Sequence, residues 1–241
     1  MSRREKLSGI REKRKIKISS KGLIPMRVAG LCGVMTPIII FTCIGLAISY
    51  SPWFTWTGSF LSDLAGMVGD RPIWSARGIA SVLFNVGVII SGFMGCIFAI
   101  AVRRIRMLNT RLGRFGTRFL LLDMAALCAV GIFPETTGYP HTVVSLAFFF
   151  LIPVALIPIG TVMRKTSEKT GWPEKTAGWF ITILGLIALF SSLLLVPLPP
   201  SWSWGGNAIV EMIPSVLISV LATVFGIIFL ISGFEISPNN G

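Results

Sequence analysis

Six apolar runs divide this chain, at residues 29–49, 76–102, 117–133, 141–163, 176–197 and 209–234. Each is close to the roughly 20 residues an α-helix needs to cross a hydrocarbon core. Backbone groups cannot stay unpaired in lipid, so spanning segments are helices or the strands of a closed barrel, and uninterrupted runs of this length select helices. The pattern predicts an all-α integral membrane bundle of six transmembrane helices over residues 29–234. A basic N-terminal tail at 1–28 and a short C-terminal tail at 235–241 flank it.

The polar connections between the runs add neighbour relations. Residues 134–140, PETTGYP, make so tight a turn that the third and fourth spans become antiparallel neighbours, while residues 50–75 are long enough to fold back over the bundle mouth. Within that longer segment, Ser59-Phe-Leu-Ser-Asp-Leu-Ala predicts a short helix capped by Thr57 or Ser59. Gly87, Ser91 and Gly95 recur at four-residue spacing in the second span and predict close approach of another helix. Pro153 and Pro158 in the fourth span and Pro214 in the sixth remove helix donors and predict bends.

Composition excludes a soluble domain: 53% of the 241 residues are hydrophobic and the mean hydropathy is +0.79. Charge then orients the spans. Of 22 Lys and Arg, ten fall in residues 1–27, six between Arg103 and Arg118, and four between Arg164 and Lys175. Counted over short loops, this excess puts both termini and the loops after the second and fourth spans in the cytoplasm, the N-in/C-in arrangement of a multi-pass cell-membrane protein. The tail lacks the apolar stretch and cleavage site of a secretory signal, so it reads as a retained segment lying against anionic lipid. The net charge of +12 is thus an orientation signal, and no nucleic-acid partner is expected. Membrane lipids are the expected partners, and a homo-oligomer is left open. Trp53, Trp56, Trp74, Trp202 and Trp204 fall at the outer boundary, Trp172 and Trp179 at the inner, as aromatic belts do. Cys32, Cys43, Cys96 and Cys128 sit inside spans at spacings of no zinc or haem pattern and read as small core residues.

Ionisable groups at a bilayer are costly, which singles out the few that this chain carries. On the outer side these are Asp63, Glu135, His141 and Glu211, with Ser62 beside Asp63. Asn85 stands about nine residues into the second span, roughly 14 Å deep at 1.5 Å per residue, where an amide needs a partner. His141 and Ser145 share one helical face at i, i+4, and Glu135 flanks the same turn. Acid, imidazole and hydroxyl together suffice for general acid–base work or for activating a nucleophile. The competing reading is an interfacial histidine that only holds the turn. A single His rules out a His-rich zinc centre within one chain, and no metal or cofactor is expected. Gly-x-Ser-x-Gly, His-Glu-x-x-His and phosphate-cradling glycine motifs are absent from the outer loops. Asp123, about five residues in from Arg118, is assigned to the inner side and expected to pair with an inner-boundary cation.

Several of these residues also carry a resemblance. Ser51-Pro-Trp-Phe-Thr-Trp, Leu61-Ser-Asp-Leu, Phe84-Asn85 with Gly87, Gly131-Ile-Phe-Pro-Glu135 leading to His141 and Ser145, and Ile209-Val-Glu211 together resemble the family catalogued as domain of unknown function 998. The resemblance implies a multi-span protein of a kind common in archaea and without an established activity. A looser similarity links that family to the Frag1/DRAM/Sfk1 group of six-span proteins, parts of which handle membrane lipids. This chain has Ala65 where the pattern leads one to expect glycine after Ser-Asp-Leu.

The leading functional expectation is an outward-facing pocket where Asp63, Asn85, Glu135, His141 and Glu211 converge on a lipid headgroup or small polar ligand, with Ser62 and Ser145 as further contacts. In a lipid-remodelling version His141 is the acid or base, Glu135 or Asp63 orients it, and Asn85 donates to developing negative charge. A small carrier or proton/ion-coupled transporter, with Asp123 as inner relay, is the first alternative. A structural membrane protein without catalysis is the second.

Overall fold

The apolar runs become six long helices in a computed structural model, which describes residues 20–66, 75–167, 172–195 and 208–231. They are α1 (Ser20–Ser49), α2 (Ala76–Val102), α3 (Arg111–Ile132), α4 (Tyr139–Ser167), α5 (Trp172–Leu194) and α6 (Ala208–Ile231). All six are long and apolar enough to cross a membrane, so the chain is a multi-pass membrane protein with six transmembrane helices. The expectations for most of the N-terminal tail, the C-terminal tail, Trp74, Trp202 and Trp204 lie outside the described residues, as does the side chain of Trp172.

Helix starts follow local chemistry. Ser75 caps α2 by accepting the Gly78 N–H, and Thr110 caps α3 by accepting the Gly113 N–H at 3.0 Å. That second cap starts α3 at Arg111 rather than 117, because the basic stretch RLGRFGTR forms its first two turns instead of a loop. Asp123 therefore sits near the middle of its helix. Five residues on, a helix has rotated by about 140° beyond a full turn. Arg118 consequently stays exposed while Asp123 is fully buried. Neither Asp123 oxygen has a hydrogen-bond partner among the described residues, so none of the described boundary cations makes the expected pairing. Its surroundings include Cys96 of α2 within electrostatic reach.

Each helix packs on its neighbour in sequence, and α6 returns to α1, closing the six into a ring. Without a hydrophobic driving force between helices in lipid, close backbone approach has to supply the contact, and small residues permit it. At the closing seam, a Cβ on Gly226 would meet the Gly30 carbonyl oxygen at 2.8 Å, and one on Gly30 would meet the Gly226 carbonyl at the same distance. The predicted stripe on α2 divides between two partners. Gly87 faces Cys43 of α1, Ser91 donates to the Thr36 carbonyl at 3.3 Å, and Gly95 faces Met124 of α3. Gly92, one residue off the stripe, lies against the Cys128 backbone. Large apolar side chains cover the outside of the ring, with Phe93 64% and Phe190 67% exposed, as lipid-facing positions require.

The prolines are absorbed without ending their helices. Pro153 cannot donate to the carbonyl four residues before it, that of Phe149. Ser192 of α5 donates to this carbonyl instead, at 2.7 Å, sharing its hydroxyl with the Ala188 carbonyl. The carbonyl that Pro153 leaves open in α4 is thus closed by the α4–α5 contact.

Gly226→Leu forces α1 and α6 apart and lowers stability by about 1–3 kcal/mol, read as a lower melting temperature in detergent. Ser192→Ala leaves the Phe149 carbonyl unpaired in an apolar seam and costs about 1–3 kcal/mol by the same measurement.

Candidate functional site

Beyond α1 the chain turns back into the end of the ring. Tight turns at Ser51–Phe54 and Thr55–Ser59 reverse it, and Leu61, Leu64 and Ala65 are then buried among the helices. The expected short helix is a single 3-10 turn, Ser62–Ala65, which neither Thr57 nor Ser59 caps. The Ser59 hydroxyl is engaged with the Thr55 N–H, and the Asp63 carboxylate closes the turn by accepting the Phe60 N–H at 2.9 Å. The chain leaves at Gly66, whose φ of +125° suits glycine. The glycine expected at position 65 is thus supplied one residue later.

Non-helical backbone buried at this depth leaves N–H and carbonyl groups that other parts of the chain must satisfy. Glu211, in the first turn of α6, accepts the Leu61 N–H at 2.6 Å, and the Ala208 N–H donates to the Ser59 carbonyl at 2.9 Å. From α2, Asn85 donates to the Ala65 carbonyl at 2.9 Å, and Ser81 donates to the same oxygen. Asn85 thereby holds the backbone of the segment, and its own side-chain oxygen is buried without a partner among the described residues. Ser81, four residues before Asn85 on the same helix face, is a contributor that the sequence reading passed over.

Opposite this segment, α3 and α4 are joined by the 3-10 turn Glu135–Thr137, closed by Gly138 at φ +69°. Glu135 lies beside Asp63. Burial, the Asp63 charge and a hydrogen bond to the Asp63 side chain raise the Glu135 pKa from 4.5 to about 7. Two ionised carboxylates repel each other, and Glu135 Oε2 is buried with no hydrogen-bond partner among the described residues, so this site favours the protonated acid.

His141, in the first turn of α4, is buried, with both ring nitrogens engaged. Nδ1 lies 2.7 Å from the Phe133 carbonyl oxygen and Nε2 lies 3.2 Å from the Ser145 hydroxyl. A carbonyl only accepts, so Nδ1 carries a hydrogen, and in the neutral imidazole Nε2 is the nitrogen that accepts from Ser145. Orientation of the imidazole thus comes from a backbone carbonyl, not from Glu135 or Asp63.

These groups surround a cavity of about 390 Å³ lined by Ser62, Glu135, His141, Thr142, Ser145 and Glu211 on its polar side and by Phe60, Leu146, Phe149 and Leu195 on its apolar side. Deeper in the ring, a chamber of about 50 Å³ shares Ser62, Ser145, Phe149 and Glu211 with it and is otherwise walled mainly by apolar side chains. Asp63 borders the larger space through Glu135, Asn85 lies behind it, and Asp123 lines neither. Thr142, on the same α4 turn as His141, is a lining residue absent from the sequence-based set. Among the described residues, no three His, Cys, Asp or Glu side chains are grouped to hold a metal ion.

With its pKa raised, Glu135 keeps in the folded state a proton that the unfolded chain releases above pH 4.5. Its stabilising contribution is complete below pH 4.5 and is lost as pH rises through about 7. Melting temperature therefore falls across that window, and Glu135→Gln, uncharged but still able to donate to Asp63, flattens the slope.

Neither a curated protein nor a solved structure matches the chain. A family model does, over residues 34–228, from the α1 interior almost to the end of α6 and including every residue of the cavity. The chain belongs to the family described as protein of unknown function, DUF998.

Proposed function

We propose that this protein binds a lipid headgroup or a small polar ligand in the 390 Å³ cavity, and that this end of the bundle faces away from the cytoplasm of a cell membrane. The observation that carries the reading is the cavity's wall: polar side chains from four separate pieces of chain, the 3-10 turn Ser62–Ala65, the α3–α4 turn, α4 and α6, meet around one space. Ligand sites combine apolar walls with convergent polar groups that fix orientation. Orientation is supported by charge. The antiparallel ring puts Arg103 to Arg118, Arg164 and Lys165 at the end opposite Asp63, Glu135 and Glu211, and positive charge marks the cytoplasmic side. Anionic lipid is the partner suited to that basic end.

A structural role is the second reading, favoured by the backbone bonds of Glu211, Asp63 and Asn85, which hold the buried segment whether or not a ligand is present. Carrier function has less support, since Asp123 lines neither cavity.

Native mass spectrometry of protein released from mild detergent separates these readings. Ligand binding predicts one bound headgroup or small-molecule class, lost in Leu146→Trp, which fills the cavity, while the variant's melting temperature stays near wild type. An unselective lipid mixture in both proteins sinks the binding reading and leaves the structural one. Fusing topology reporters to the α2–α3 and α3–α4 connections tests orientation, with the α2–α3 reporter expected in the cytoplasm.

A further inference from the structure

The serine at the junction of the two cavities has what a nucleophile requires. Ser145 follows His141 by one helical turn, its hydroxyl donates to Nε2 at 3.2 Å, and the imidazole is fixed from behind by the Phe133 carbonyl at 2.7 Å. Nucleophile, base and a third group that orients the base form the recurring arrangement of covalent catalysis. A histidine that merely held a turn would have no need of a hydroxyl opening on two chambers. Ser145 lines both.

The chambers differ in chemistry and size. The inner one, about 50 Å³, is walled by residues such as Ile44, Phe84, Val88 and Phe148. A cavity of about 150 Å³ admits benzene, so a third of that volume accommodates about two heavy atoms, the two carbons of an acetyl group. The outer chamber, about 390 Å³, carries the polar side chains and suits a polar alcohol. Ser62 also opens on both chambers, and its hydroxyl makes no hydrogen bond among the described residues, which leaves a donor where a carbonyl oxygen would gain charge.

We infer that Ser145, activated by His141, is a nucleophile toward esters of a short, acetyl-sized acyl group, with the acyl part in the inner chamber and the alcohol part in the outer one. The inference rests on the reading that the outer cavity holds a polar ligand. In the first step Ser145 Oγ bonds to the ester carbonyl carbon while its proton passes to His141 Nε2. The tetrahedral adduct collapses by breaking the carbon–oxygen bond to the alcohol, which leaves with the proton from His141. Water, deprotonated by His141, then attacks the acyl-serine, releases the carboxylic acid and restores the Ser145 hydroxyl. A second alcohol in place of water gives acyl transfer.

The test uses the full-length protein in detergent with fluorophosphonate probes, which phosphonylate activated serines, read by intact mass and peptide mapping. An ethyl-substituted probe gives one adduct, on Ser145, and a decyl-substituted probe reacts about 10-fold or more slowly because the inner chamber excludes its chain. The adduct disappears in Ser145→Ala and forms about 100-fold or more slowly in His141→Gln. Absence of a Ser145 adduct in wild-type protein that still carries its ligand by native mass spectrometry overturns the nucleophile and leaves the binding site standing. Absence of both overturns both. Equal rates for the two probes overturn the short-acyl assignment, a measurement on wild type that needs no variant to fold. An undiminished rate in folded His141→Gln overturns the role of His141.

Discussion

Backbone that leaves the helical pattern inside an apolar bundle has no water to pair with, and each group left open costs several kcal/mol or must be met by the protein itself. Residues 59–66 break the pattern at the end of the ring, and their partners come from helices distant in sequence. Glu211 meets the Leu61 N–H, Asn85 and Ser81 meet the Ala65 carbonyl, and Asp63 meets the Phe60 N–H within the segment. Pro153 poses the same demand in the bundle wall, and Ser192 answers it at the Phe149 carbonyl. Much of the polar chemistry in the membrane region is thus spent on keeping irregular backbone satisfied, and the space left beside it becomes the cavity.

The ring supports this arrangement because its seams are tight. Glycine against backbone at the Gly30–Gly226 contact and at Gly92 lets helices approach without leaving gaps of their own. Open volume then collects at the end where the buried segment stands in for a seventh packing element. His141 and Ser145 are held on the first turns of α4, and the imidazole is fixed by the carbonyl of Phe133, the residue that follows α3. A site mounted on helices rather than on loops keeps its geometry, which matters for either binding or chemistry.

The Asp63–Glu135 pair links the two sides of the mouth. One acid belongs to the buried segment and the other to the α3–α4 turn, and burial together with the Asp63 charge raises the Glu135 pKa to about 7. The junction between these pieces of chain accordingly depends on protonation near neutrality, while the backbone bonds of Glu211 and Asn85 hold the same segment through other contacts.

Hydrophobic run length and the distribution of Lys and Arg by themselves determined six transmembrane helices, their antiparallel order and which polar residues share one end, because lipid enforces helices and short connections leave little choice of neighbour. The i, i+4 relation of His141 and Ser145 was equally legible, being a property of one helix. The start of α3 was not: RLGRFGTR looks like a loop until Thr110 is seen to cap it, and with that boundary moved Asp123 is buried without a partner among the described residues. Nor could sequence tell that Asn85 serves a backbone carbonyl, that Phe133 rather than a carboxylate orients His141, or that Ser145 stands between two chambers. Those facts depend on contacts between residues far apart in the chain, and only packing the ring and folding residues 59–66 into its end decides which polar group meets which.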